Sequence, residues 1–331
     1  MNPPAAAIRQ ACVEAGARLH FGLIRVGPAR RRFGGLGLMI ETPGVRLRAQ
    51  EAEAWSFEGP FRERLAEFAP QFARRAAFGS LGNSAYAIQV DASPPSHSGL
   101  GSGTQVLLSA AAAIYAAAGL PLCSPRQLAL ETGRGARSAI GCHGFYQGGL
   151  LFEGGKSEEE PLSELQCRVD FSDAWRIVLI RPLDFQGVAG TREEEYFTQA
   201  PIDSDSHAEE MTTLAREVLI PSAFEADFAA FSAALFRYGW LAGEAFAFAQ
   251  GDVFSHPQAR QRVEDLRRRG VTGVGQSSWG PTLFALLPNE SDAQRLVDEC
   301  RAEALYAGCE WTITAARNRG ADIRSGVALT Q

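Results

Sequence analysis

The residues best suited to chemistry lie in three glycine-rich segments. Pro94 to Gln105 reads PPSHSGLGSGTQ and runs directly into the apolar stretch VLLSAAAAIYAAAGL. Glycines at 99, 101 and 103 let the backbone turn tightly and gather several N–H groups on one spot, and a helix starting there adds the positive end of its dipole. Ser98, Ser102 and Thr104 contribute hydroxyls. A phosphate or diphosphate fits such a cradle; a plain glycine turn ahead of a helix cap is the alternative. The spacing is not the dinucleotide fingerprint, because Thr104 stands where G-x-G-x-x-G requires its last glycine.

The second segment, GVGQSSWGP from Gly273 to Pro281, has the makings of the other wall of one cleft, with Gly275, Gln276, Ser277, Ser278 and Trp279 as ligand contacts. Taken alone, such a segment is more often a turn. The third, Glu131 to Gly149, carries Arg134 and Arg137 among small residues, where they suit bidentate pairing with phosphate or carboxylate; solvated arginines at a helix end are the competing reading. Cys142 and His143, read on a strand, would face opposite ways, and no ligand-spaced partner accompanies them, so a structural role is expected. His20, His97 and His143 each sit within a glycine-rich segment. Imidazole is the side chain best placed to exchange protons near neutrality, although each of these is equally readable as a hydrogen-bonded core residue.

These segments need elements to hold them. Strand-like runs at 19–26 and 37–41 predict a hairpin, with Arg30, Arg31 and Arg32 in its turn. An amphipathic helix is expected over 61–78, a strand over 85–90, and a buried helix after the phosphate-binding candidate. Ser124 as N-cap, Pro125 behind it and glycines after Thr132 bracket a short helix. Strands are expected at 148–152, 176–180, 282–287 and 310–315, and helices at 206–219, 223–238, 258–269 and 291–303. The polar stretch GGKSEEEPLSE marks the expected division into lobes 1–160 and 161–331. Helices and strands alternate without the beat of a barrel, so the class is α+β.

Composition excludes much else. Thirty-two basic and 38 acidic side chains among 331 residues give a net charge of -6, against a nucleic-acid or membrane-surface protein held by bulk positive charge. The single lysine, Lys156, lacks the spacing of a P-loop, and Schiff-base chemistry has almost no candidate. Six cysteines without a C-x-x-C pair suggest a reducing cytoplasm, and the start MNPPAAAIRQACVEAG has no secretory pattern. The uncharged stretch from Val106 to Leu122 is short for a bilayer span of roughly 20 residues. Neither G-x-S-x-G nor H-E-x-x-H occurs.

Taken in order, ARLHFGLI, PPSHSGLGSGTQ and GVGQSSWGP resemble the three motifs of the GHMP kinase superfamily. RLHFGLI, HSGLGSGTQ, GRGARSAIG, GGLLFEGG and GVGQSSWGP are most similar to its β-ribofuranosylaminobenzene 5′-phosphate synthase family, a match over most of the chain. The resemblance implies a two-lobed α+β GHMP-kinase-like fold with the active site in the inter-lobe cleft, including a left-handed βαβ crossover of the kind found in only about 2% of such connections. It departs from the kinases at Gly141, which stands where their catalytic aspartate would be and cannot deprotonate an acceptor. An ATP-dependent small-molecule kinase and a non-catalytic sugar-phosphate or nucleotide sensor are therefore the alternatives, and no ATP is expected.

For the synthase family the implied reaction joins the ribose C1 of phosphoribosyl diphosphate to the carboxyl-bearing carbon of 4-aminobenzoate, releasing CO₂ and diphosphate for methanopterin biosynthesis. Ser98, Gly99, Gly101, Ser102, Gly103 and Thr104 would hold the diphosphate, with Mg²⁺ on the Ser102 and Thr104 hydroxyls. His20 is the catalytic candidate, and His20, Phe21 and Trp279 would form the aromatic slot. Arg18, His97, Arg134 and Arg137 are candidates for the remaining anionic groups. The partners expected are small molecules, not nucleic acid or membrane. A homodimer is considered, and the choice between 4-aminobenzoate and 4-hydroxybenzoate stays open.

Overall fold

The computed structural model describes residues 7–24, 30–75, 84–185 and 205–329. The chain opens with β1 (Ala7–Ile24) and β2 (Gly34–Ala52), a long antiparallel pair. Both strands extend well beyond the runs expected from sequence, and Val26 with the turn residues 25–29 falls outside the described residues. Along β1 the buried positions alternate as Ala11, Val13, Ala15, Ala17 and Leu19. Alanine is a poor strand former, so this face reads weakly in isolation; burial against a helix makes it a strand.

That helix is α2 (Ser102–Ala117), buried on nearly every side. It packs on β1 and β2 and is flanked by α1 (Arg62–Arg75), α3 (Pro125–Thr132) and α4 (Ile140–Gln147). Its first turn follows the phosphate-loop candidate, as expected. The α3 caps also match the sequence: Ser124 accepts from the Gln127 amide at 3.2 Å, and Gly133 closes the helix in the left-handed region. α4 is a correction, since Cys142 and His143 lie on a helix and not a strand. Gly144 permits this packing, because a Cβ there would meet Met39 Sδ at 2.4 Å.

The large sheet runs β11 (Asp322–Leu329), β1, β2, β4 (Ala85–Ala92), β3 (Ser56–Glu58), while β5 (Leu150–Glu153) pairs with the other end of β2 and carries β6 (Leu165–Val169). β3 and β4 pair in parallel across α1, the one parallel pairing among the described residues. The sheet crosses the division expected at residue 160, since β6 and β11 belong to it. Sequence reasoning missed β11 altogether.

The second sheet runs β10 (Cys309–Thr314), β7 (Arg176–Pro182), β9 (Leu283–Leu287), β8 (Gly273–Gln276), all antiparallel. Helices α5 (Asp205–Thr213), α6 (Ile220–Glu225) and α7 (Phe228–Glu244) lie between the sheets, with a π-helical stretch at 214–219, and α8 (Ala247–Gln250) follows. α9 (Ala259–Arg268) and α10 (Glu290–Cys300) cover the far side of the small sheet. One hydrophobic core fills the space between the lobes: Leu19 and Phe21 of β1 meet Phe231 and Tyr238 of α7 and Phe284 of β9, with the Phe21 and Phe284 rings 5.2 Å apart. The cleft therefore sits over a continuous apolar floor. No helix among the described residues is long and apolar enough to cross a membrane.

Arg317 ties β11 to β2. Its buried guanidinium donates to Glu41 at 2.8 Å, to Asp322 at 2.9 Å, and to the carbonyls of Glu14 and Gly320. Removing the guanidinium leaves the Glu14 and Gly320 carbonyls without this donor, while the Glu41 and Asp322 carboxylates, about a third exposed, keep access to water. Arg317→Met is expected to lower stability by about 1–3 kcal/mol, measured by chemical denaturation.

Candidate active site

The phosphate-loop candidate is shaped by contacts on three sides. Gly99 takes φ +82°, and a Cβ there would strike the Ser277 carbonyl oxygen at 2.4 Å, so only glycine fits against the second glycine segment. The Leu100 carbonyl accepts from the Arg18 amide of β1 at 3.1 Å. Gly101, at φ +69°, is the N-cap of α2 and supplies no side-chain cap, while its carbonyl accepts from Thr104 and Gln105. The Ser102 and Gly103 amides in the first turn have no acceptor within the helix, which is the arrangement an anion completes. Ser98 turns inward, donating to the Pro95 carbonyl at 2.7 Å.

Arginines surround this helix end. Arg18 Nε lies 3.2 Å from where a Gly101 Cβ would stand, and Arg64 Nη1 lies 2.7 Å from the corresponding point on Gly103. Arg134 donates through Nε and Nη2 to Thr104 Oγ1, both at 3.2 Å. Thr104 is thereby turned toward a cation, and among the described residues no cluster of acidic, cysteine or histidine ligands stands ready for a metal. The donor set does not fit a protein-bound Mg²⁺, which usually keeps at least one carboxylate. Arg137 is half-buried beside Ser138, away from the slot lining. His97 is exposed on a left-handed turn at φ +55°.

The second glycine segment divides in two. Gly273 to Gln276 is the strand β8, not loop, and Gly275 is glycine because a Cβ would meet the Phe284 ring at 2.8 Å. Gly275 therefore serves the packing of β8 on β9. Ser277 to Gly280 forms the loop proper. The buried Ser277 hydroxyl donates to the Gly99 carbonyl at 2.8 Å and accepts from the His20 amide at 3.1 Å, while the Ser278 amide donates to the His20 carbonyl at 2.9 Å. One side chain thus joins β1, the phosphate loop and the late loop.

Beside this joint lies a narrow cavity of about 40 Å³ lined by His20, Phe21, Phe246, Gln276, Ser278 and Trp279, among others. Trp279 and Phe246 pack with ring centroids 4.4 Å apart. Gln276 is fixed by bonds from the Ser255 amide and hydroxyl to its Oε1 and by its own bond to the Ser278 carbonyl. His20, Phe21 and Trp279 are thus brought together around one narrow slot, walled mostly by apolar groups with a few polar ones. A bulge in β1 between His20 and Gly22 shapes its floor. Tyr238 donates to the Gly22 carbonyl at 3.1 Å.

Burial, helped by the positive charge of Arg18, holds His20 well below the ordinary imidazole range, so it is neutral. Its Nε2 lies 3.0 Å from Ser138 Oγ. Behind Ser138 is Glu153, at 0% exposure, whose Oε2 accepts from the Ala139 amide at 2.7 Å. Burial pushes Glu153 up to about 7, against the opposing pull of Ser138, Ala139, Ser163 and Arg18. Cys142 is a neutral thiol, pushed up to about 12 by burial, and His143 bonds the Ser163 carbonyl at 2.8 Å, so both are structural as expected. Gly141 lies against α2: its carbonyl accepts from Gln105 at 2.9 Å, and a Cβ would come within 3.2–3.3 Å of Gln105 and Thr104.

Sequence reasoning missed Arg64, Ser138 and Glu153 as site residues. Glu153 carried a readable signal, as the one acid closing the apolar run LLFE. Arg64 carried none, being one of several charged residues on an amphipathic helix.

Ser277→Ala leaves the Gly99 carbonyl and His20 amide without their partner. Stability is expected to fall by about 1–3 kcal/mol in thermal or chemical denaturation. Gly103→Ala, in contrast, has only the flexible end of Arg64 to displace, so the fold is expected to persist while diphosphate affinity drops by tenfold or more in calorimetric titration.

Comparison with known proteins agrees with this layout. The family model for the GHMP kinases N-terminal domain matches residues 65–148, and the model for the GHMP kinases C terminal matches 219–306. Among solved structures, mevalonate diphosphate decarboxylase from Staphylococcus aureus covers 96% of this chain and 98% of its own, with TM-score 0.67 and 12% identity. Homoserine kinase from Cytophaga hutchinsonii covers 95% and 97%, with TM-score 0.64 and 14% identity. These likenesses establish the fold. The β-ribofuranosylphenol 5′-phosphate synthase of Methanothermobacter thermautotrophicus is 28% identical over 92% of this chain and 96% of its own. The protein of the same name from Archaeoglobus fulgidus is 33% identical over 93% of this chain and 97% of its own. With identity sustained across nearly the whole of both chains, the protein belongs to the β-ribofuranosylphenol 5′-phosphate synthase family, on a GHMP kinase fold.

Proposed function

We propose that the protein is a decarboxylating pentosyltransferase. It joins C1 of phosphoribosyl diphosphate to the carboxyl-bearing carbon of a para-substituted benzoate, releasing CO₂ and diphosphate, as a cytoplasmic step of methanopterin biosynthesis. The observation that carries this reading is the meeting, at Ser277, of an aromatic slot and an arginine-ringed helix N-terminus. The apolar, aromatic lining of the first suits the faces of a flat aromatic acid, which its walls must part to admit, and a diphosphate suits the second.

A para amino or hydroxyl group pushes electron density onto the carbon that bears the carboxylate. That carbon forms the new bond to C1 as the C1–O pair leaves with diphosphate, and the pair of the broken C–CO₂ bond then restores the ring. The loop amides with Arg18, Arg64 and Arg134 would stabilise the departing charge, and the slot would hold ring carbon and C1 near attack distance, roughly 3–3.5 Å. Neutral His20 lines the slot and is suited to bond the para substituent. No step requires a carboxylate base, in keeping with Gly141 at the position of the kinase aspartate. Magnesium would arrive bound to the diphosphate, held by its oxygens. The relatives are named for a ribofuranosylphenol, which favours 4-hydroxybenzoate, whereas the motif resemblance implies 4-aminobenzoate; either para group would activate the ring carbon.

Incubated without ATP, with phosphoribosyl diphosphate, Mg²⁺ and either acid labelled at the carboxyl, the protein is expected to release labelled CO₂ and diphosphate in equal amounts. Label retained in an N- or O-ribosylated product would overturn the mechanism. Acceptor-dependent ADP formation from ATP would establish a kinase in its place.

A further inference from the structure

Glu153 closes β5 at the floor of the site, fully buried, and reaches no substrate cavity itself. Between it and the slot stands Ser138, whose Oγ is 3.0 Å from His20 Nε2 and also accepts from the Ile140 amide at 3.3 Å. The hydroxyls of Ser138 and Ser163 lie close enough to favour the ionised carboxylate, yet Glu153 Oε1 and Ser163 Oγ complete no hydrogen bond. The network is therefore incompletely satisfied, and a proton at Glu153 has a place to go. His20 Nδ1 makes no hydrogen bond among the described residues, and His20 is one of the residues that line the slot.

We propose that Glu153 and Ser138 are positioning residues: through Ser138, the charge on Glu153 decides which ring nitrogen of His20 carries the proton, and so whether Nδ1 meets the aromatic substrate as acceptor or donor. The inference rests on the slot being the aromatic-acid site. With Glu153 ionised, the Ser138 hydroxyl donates to the carboxylate and Ser138 Oγ accepts from Nε2–H, leaving the lone pair on Nδ1. With Glu153 protonated, its O–H donates to Ser138 Oγ, the Ser138 hydroxyl donates to Nε2, and the imidazole proton sits on Nδ1. The imidazole is neutral in both states, and the net change is one proton on Glu153.

The surroundings place this exchange near neutral pH. Burial holds Glu153 up at about 7, while Arg18 favours its charge. Lys156, three residues along, is a second cation in range. Cys142 on α4 and Tyr238 on α7 face the carboxylate as neutral groups, their pKa values raised by burial. His20 stays neutral throughout, because burial and Arg18 both oppose its protonation. Ionised Glu153 gives the acceptor form, which takes a hydrogen bond from a para hydroxyl or amine and so raises electron density at the attacking carbon.

The test is ¹⁵N NMR of the ring nitrogens in histidine-labelled protein, without substrate, from pH 5.5 to 8.5, with His20→Gln used only to assign the resonance. Wild type is expected to pass from the Nδ1–H to the Nε2–H tautomer with a midpoint near 7. Glu153→Gln, whose amide donates as the protonated acid does, is expected to stay Nδ1–H at every pH, and Glu153→Asp to restore the transition. Ser138→Ala should abolish it too, which covers the case of a Glu153 variant that does not fold. A wild-type tautomer independent of pH, or a transition persisting in Glu153→Gln, would overturn the proposal. Because no substrate is present, these outcomes stand apart from whether the ribosyl transfer itself occurs. In turnover, Glu153→Gln is expected to remove the near-neutral limb of the kcat profile while leaving KM for phosphoribosyl diphosphate within about twofold.

Discussion

The Ser277 hydroxyl is the joint on which the site depends. It donates to the Gly99 carbonyl and accepts from the His20 amide, so the phosphate loop, the first strand and the late glycine loop are held by one buried oxygen. The neighbouring backbone is built for this closeness: Gly99 has no room for a side chain against the Ser277 carbonyl, and Ser278 adopts a left-handed turn at φ +55° that lets its amide reach His20. Buried backbone groups that lose such partners are costly to leave open. The aromatic slot and the anion-binding helix end are therefore kept in a fixed relation rather than on opposite sides of a hinge, and the shared core between the lobes reinforces it.

Charge is distributed to match. The helix end gathers Arg18, Arg64 and Arg134, and no cluster of acidic, cysteine or histidine ligands accompanies them among the described residues, so the local field favours a negative group. A few ångströms away the same field works by repulsion. Burial and the charge of Arg18 hold His20 well below the ordinary imidazole range, and burial pushes the nearest carboxyl, Glu153, up to about 7. The protein thus separates a cationic anchor from an uncharged, polarisable slot within one cleft.

The kinase relationship explains the scaffold but not the chemistry, since one fold hosts unrelated reactions and the site decides among them. Gly141 illustrates the point. In this protein it is where α4 presses onto the first turn of α2, with its carbonyl bound by Gln105 and too little space for a larger side chain without a shift. The space that a side chain at this position would need is used here for packing that steadies the phosphate loop.

Much of this was legible in the sequence because it is local. The glycines at 99, 101 and 103 ahead of an alanine-rich helix, the Ser124 cap and the Gly133 stop follow from backbone preferences that act over a few residues. The aromatic slot was legible in part, through Trp279 and His20. What the sequence could not carry depends on distant partners. α4 is a helix because Gly144 fits over Met39, β8 is a strand because Gly275 fits over Phe284, and β11 is a strand because it completes the edge of β1. Arg64 comes to the phosphate loop through the packing of α1 on α2, and Glu153 comes to His20 through the pairing of β5 with β2. Residue types and spacing determined that a glycine-rich turn opens an alanine-rich helix and that a second glycine segment, bearing Trp279, follows late in the chain. Only the tertiary structure, by burying Glu153 across Ser138 from His20, decided how that histidine is held, because burial and hydrogen-bond partners set protonation and neither is written in the neighbouring residues.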